Sequence, residues 1–103
     1  VNGIDLIKQE RGRQISIEGY RDVHDDMHVS GELVRAAEAY CHAIEWVDDQ
    51  IVARTLRPSF PWPWEKKWWK PSTDNIKNLT KAGALIAAEI DRLLRLQERK
   101  SAK

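Results

Sequence analysis

Four prolines and four tryptophans fall within "LRPSFPWPWEKKWWKP" (56–71), and this stretch limits the fold more than any other. Pro58, Pro61, Pro63 and Pro71 each remove a backbone donor and fix φ, so no regular helix runs through most of it. Yet Phe60, Trp62, Trp64, Trp68 and Trp69 carry too much apolar surface for a solvated linker. The segment must be an ordered loop that folds back onto its neighbours.

Both neighbours read as helix. Upstream, Leu33, Ala37, Tyr40, Ile44, Val47 and Ile51 recur at spacings of three and four, which predicts a second helix over 30–53. Downstream, Ser72, Thr73 or Asp74 can cap a third helix that continues to 97, with Ile76, Leu79, Gly83, Ile86, Ile90 and Leu93 as its core stripe. A first helix over 3–17 presents Ile4, Ile7, Arg11 and Ile15, with Asn2 as N-cap and Gly19 as its stop. No stretch alternates with period two. The expected fold is all-α: three main helices, with the Pro/Trp-rich ordered loop between helices two and three, in one helical domain over 1–103.

The 103 residues allow only a modest core, so self-association would help. "KAGALIAAEI" (81–90) is rich in Ala and Gly, which let another helix approach closely, and a homodimer or higher homo-oligomer is expected. Net charge is only +1, with no general attraction for long nucleic acid or an acidic membrane. The charge is unevenly spread, however. Residues 18–50 hold nine acids against two bases, and residues 51–103 hold twelve bases against five acids, which favours packing of one half on the other. A single cysteine, Cys41, permits no internal disulfide and suits a reducing cytosol. No apolar run is long enough for a membrane span, and no signal-peptide pattern opens the chain.

The densest chemistry lies in "EGYRDVHDDMHVSGEL" (18–33). His24 and His28 are four apart with Asp25 and Asp26 between them, and Glu32 follows one turn on. Such groups can cap the second helix, orient a polar ligand or bind a metal; the full zinc-protease signature is absent. In the loop, Trp62, Trp64, Trp68 and Trp69 alternate with Lys66, Lys67 and Lys70, a mixture suited to stacking on a base while neutralising phosphate. It suits equally a buried plug between two helices. Glu89 sits beside the third stripe and needs a cation such as Lys81 or Arg92.

"QERGRQ", "EGYRDVHDDMHVSGELVRAAEAY", "WPWEKKWWKP" and "KAGALIAAEIDRL", in this order, resemble a family of small proteins from tailed bacteriophages and prophages. The resemblance implies a protein that acts on a host system, by blocking a defence protein or sequestering a nucleotide signal.

Taken together, these features lead us to expect a non-catalytic binder of a nucleotide-like small molecule such as a cyclic nucleotide or an ADP-ribose derivative, working in the host cytosol. Trp62, Trp64 or Trp69 would stack on the base, Lys70 or Arg11 would hold phosphate, and His24, Asp25, His28 and Glu32 would bond ribose or base edges. No metal or cofactor is expected for that role. One alternative is a magnesium-dependent nucleotide pyrophosphatase using Glu32, Asp25 or Asp26, and Glu89. The other is a protein-interaction inhibitor whose indoles dock on a host protein.

Overall fold

The computed structural model describes residues 1–19, 22–47, 50–53 and 62–101. Helix α1 spans Gly3–Ser16, α2 Asp22–Asp26, α3 Glu32–Cys41 and α4 Asn75–Ser101. A short antiparallel ribbon of β1 (Ile44–Val47) and β2 (Gln50–Ala53) follows α3, with Ile44 opposite Ala53 and Val47 opposite Gln50. The fold is all-α, with three substantial helices and the ribbon as an appendage. Residues 48–49 and 54–61, the latter part of the expected aromatic loop, lie outside the described residues.

Local signals place the helix ends. Asn2 caps α1 through a reciprocal pair: its Oδ1 accepts from Asp5 N at 3.0 Å, and its own N–H donates to Asp5 Oδ2 at 3.1 Å. Beyond the helix, Gly19 takes φ +75°, a conformation that side chains with a Cβ resist. At α4, Asp74 Oδ1 accepts from Ile76 N at 2.9 Å, and the helix then runs for 27 residues, ~40 Å.

Two expectations need correction. The second helix stops at Cys41 rather than 53: Ile44, Val47 and Ile51 belong to the ribbon, where β-branched residues fit well. The third helix is turned the other way round from its expected stripe. Its buried positions are Asn78, Ala82, Ala84, Leu85, Ala88 and Arg92, while Ile76, Leu79, Ile86, Ile90 and Leu93 are exposed. Small residues face inward because α4 is gripped from both sides, packing on α3 and on α1. Gly83 shows how closely: a Cβ there would meet Ile7 Cδ1 of α1 at 2.6 Å. The core contains Leu33, Ala36, Ala37 and Tyr40 of α3, Ala82, Leu85 and Ala88 of α4, and Trp69 from the loop.

The two oppositely charged halves do meet. Asp26 accepts from Arg95 Nη2 at 2.8 Å and from Arg99 Nη1 at 3.4 Å, tying α2 to the far end of α4. Hydrogen bonding from Arg95, aided by Arg99, holds the Asp26 carboxyl below the usual range. Glu89 pairs with Arg92 at 2.5 Å, the structural ion pair that its place beside the core requires.

Candidate functional site

Behind Trp69, the loop is pinned to α4. Ser72 N donates to the fully buried Asn78 Oδ1 at 2.8 Å, and Asn78 Nδ2 returns a bond to Ser72 O at the same distance. Lys70 N donates to the Tyr40 hydroxyl at 3.3 Å, and Lys81 Nζ donates to Lys70 O at 2.5 Å. Trp69 lies 4.8 Å from Tyr40 and 4.9 Å from Trp62 between ring centroids, and Trp62 lies 5.3 Å from Trp64. The indoles therefore divide. Trp62 and Trp69 pack with Tyr40 as a plug, Trp64 packs against the same core and also lines open space, and Trp68 borders that space.

That space is a cavity of about 460 Å³ lined by Glu18, His24, His28, Pro63, Trp64 and Trp68, together with Glu65. Trp68 is 42% exposed, with Lys67 Nζ 5.3 Å and Lys70 Nζ 5.5 Å from its ring centroid. His28 lies 5.2 Å from Trp64, so the histidines and the loop share one wall. Next to it is a wider cleft of about 630 Å³ lined by Glu10, Arg13, Lys70, Lys77 and Lys81 among others. Glu18 lines both; the cleft's four cations are accompanied by Glu10, Glu18 and Asp74, and Arg13 is already paired with Glu10 at 2.7 Å and Glu18 at 3.1 Å.

Behind the histidines runs a polar chain. Arg11 Nη2 donates to Asp25 Oδ2 at 2.8 Å, and Asp25 is 0% exposed. Asp25 Oδ1 lies 3.5 Å from His24 Nδ1, and His24 Nε2 lies 3.3 Å from His28 Nε2. His28 Nδ1 lies 3.3 Å from Glu32 Oε2, while Glu32 Oε1 accepts from Ser30 N at 2.6 Å. Burial alone would raise the Glu32 carboxyl. Backbone N–H groups of Glu32 and Ser30, with His28, outweigh it and hold the carboxyl below its ordinary range.

Of the expected site residues, the structure brings His24, His28 and Trp64 to the cavity. Asp25, Glu32 and Arg11 stand behind them as supports. Asp25 and Asp26 do not cap the second helix; they belong to α2 and pair with arginines, and α3 starts after Gly31 at φ +80°. Lys70 reaches the neighbouring cleft instead. Glu18, Arg13 and Lys81 were missed. Glu18 and Arg13 carry no signal beyond a charged position near the end of α1, and Lys81 was expected only as a cation for Glu89. The carboxylates proposed for magnesium are dispersed into separate pairs, and among the described residues no group of three His, Cys, Asp or Glu is placed to hold a metal.

Tyr40 gives this region a pH signature. Burial pushes its phenol up to about 12, against a weaker opposing pull from the Lys70 N–H. Between its unfolded pKa of ~10 and about 12, the unfolded chain loses this proton while the folded chain keeps it, so stability falls as pH rises. Urea unfolding is expected to show an alkaline loss of up to about 2–3 kcal/mol that Tyr40→Phe removes. An unchanged slope in the variant would refute this.

Among the described residues, no helix is long and apolar enough to cross a membrane. Compared with protein-family models, curated proteins and solved structures, the chain has no match.

Proposed function

We propose that the protein binds a nucleotide-like small molecule without transforming it, the base in the Trp64–Trp68 chamber and the phosphates toward Lys70, Lys77 and Lys81. The observation that carries this reading is an aromatic cavity beside a cleft that holds Lys70, Lys77 and Lys81, with Glu18 lining both. A chamber of about 460 Å³ falls in the size range of small-ligand pockets. Indole stacking supplies about 1–3 kcal/mol per base without demanding a particular base. With the phage-family resemblance of the "HDDMH" and "WPWEKKWWKP" motifs, the role is sequestration of a host immune nucleotide in the host cytosol.

A thermal-shift screen against mononucleotides, cyclic nucleotides and ADP-ribose derivatives, with and without magnesium, tests it. The expected result is a rise in Tm with one class and recovery of that ligand intact. Trp68→Ala should then weaken binding about tenfold or more, in keeping with the loss of one stacked ring. Ligand recovered cleaved only with magnesium would move the assignment to a pyrophosphatase. No shift with any nucleotide would overturn the reading in favour of docking on a host protein.

The working form we propose is a homodimer built on α4. Ile76, Leu79, Ile86, Ile90 and Leu93 keep a 3-4 spacing and are all exposed, although Gly83 among them is covered by Ile7 of α1. With Leu94 they expose on the order of 600 Å² of apolar surface, at the top of the range for monomers. That area is most of the ~800 Å² per partner of a stable interface. The occupant is a second copy, because an identical helix carries the same spacing and meets it around a two-fold axis. Sedimentation should give twice the chain mass of 11.9 kDa. Ile86→Glu with Ile90→Glu should give monomer of unchanged helicity, and a wild-type monomer at high concentration would rule the dimer out.

A further inference from the structure

The chamber is aromatic in its walls and acidic in its charge. Glu18 and Glu65 line it beside Trp64 and Trp68, and among the described residues no Lys or Arg does. Like charge disfavours phosphate there, so the end of a ligand that enters is one rich in hydrogen-bond donors.

The polar groups of the wall differ in what they still offer. His24 and His28 approach each other through Nε2 at 3.3 Å, and their Nδ1 atoms lie 3.5 Å from Asp25 and 3.3 Å from Glu32. Each ring is thus engaged at both nitrogens. Glu65 is 75% exposed and 3.6 Å from Lys67, so water screens it. Glu18 stands apart. Its side chain is only 15% exposed, and its Oε1 accepts from Arg13 Nη1 at 3.1 Å. Arg13 is gripped in turn by both oxygens of Glu10 at 2.7 Å, which holds Glu18 in place. Among the described residues, Oε2 of Glu18 accepts no hydrogen bond. A carboxylate can take roughly four donors, so this anchored one keeps acceptor capacity beside the indoles.

We infer that Glu18 makes the chamber selective for guanine. The inference rests on the nucleotide reading and adds to it, because indole stacking alone accepts any base. On its pairing edge guanine carries two adjacent donors, N1–H and N2–H, which match the two oxygens of one carboxylate. Adenine and cytosine set an amino donor beside a ring-nitrogen lone pair, which would face the second oxygen and repel it. Uracil sets its single donor between two carbonyls. Hypoxanthine keeps N1–H but lacks the amine. Glu18 lines the lysine cleft as well, so the base it holds is next to the groups that take phosphate.

Calorimetric titration of the intact chain with GMP, IMP, AMP and UMP tests it. GMP is expected to bind about tenfold or more tighter than each of the others, as befits a hydrogen bond to a charged group. Glu18→Gln replaces one acceptor oxygen with an N–H donor and should bring the ratio of GMP to AMP affinity close to one. The wild-type comparison of GMP with IMP, which differ only in the amine, needs no variant and carries the test if Glu18→Gln fails to fold. Equal affinities for the four nucleotides would overturn the selectivity and leave the nucleotide reading standing. A GMP preference that persists in folded Glu18→Gln would overturn the role of Glu18. No binding of any of the four would overturn both the selectivity and the reading on which it rests.

Discussion

Asp25→Ala is expected to destabilise the protein by about 3–5 kcal/mol, the usual result of removing one member of a buried ion pair. Its carboxylate is fully buried and bonded at 2.8 Å to Arg11, whose side chain is only 12% exposed. The desolvation of the guanidinium would persist in the variant, but its closest anion would be gone. Against a total of ~5–15 kcal/mol for a domain, that is a large share. The loss should appear as a lower urea midpoint with an unchanged slope. Replacing both partners, with Arg11→Met and Asp25→Leu, should recover much of the loss, since well-packed apolar pairs often match a buried ion pair. A loss under about 1 kcal/mol in Asp25→Ala would mean that the pair adds little to the fold.

The helical class was readable from the sequence because three separate signals agreed: apolar spacing, caps at Asn2 and Asp74, and prolines confined to one segment. Orientation was not. In α4 both faces are apolar, one of Ala and Leu85, the other of Ile and Leu with Gly83 among them, and hydrophobic period alone ranks the bulkier face as core. The choice is made by packing distance. Two neighbours close on α4: Ala82, Ala84 and Ala88 are buried, and Ile7 lies on Gly83, the member of the expected stripe that stays covered. The end of α3 was misplaced for a related reason: a 3-4 pattern continues by coincidence through Ile44, Val47 and Ile51, and it masks their pairing with residues three to nine positions away.

The site was legible as a set of residue types and illegible as an arrangement. "HDDMH" announces titratable groups but does not reveal that Asp25 and Asp26, adjacent in sequence, are claimed by arginines on different helices, Arg11 and Arg95. Those long-range pairs decide which groups stay available. Once they are made, the histidines are what the segment offers to the cavity. The same holds for the indoles, four similar residues that only tertiary contact divides into a plug and an open wall.

That division yields the second large effect. Trp69→Ala is expected to cost about 3–5 kcal/mol, as for a buried aromatic truncated in a core that closes only in part. It is also expected to abolish ligand binding, because Trp69 is the buried anchor on which Trp62 rests at 4.9 Å, and Trp64 follows Trp62. Trp69→Phe should be far milder. The Trp69 Nε1 is buried with no hydrogen-bond partner among the described residues, so removing it gives up no bond and relieves an unsatisfied donor. Trp68→Ala supplies the contrast: its ring is 42% exposed, so stability should change little while binding falls. Urea midpoints of the three variants, read beside their affinities, separate the roles. If Trp68→Ala proved as destabilising as Trp69→Ala, the two rings would share one packing role, and the open aromatic wall would have to be reassigned to the core.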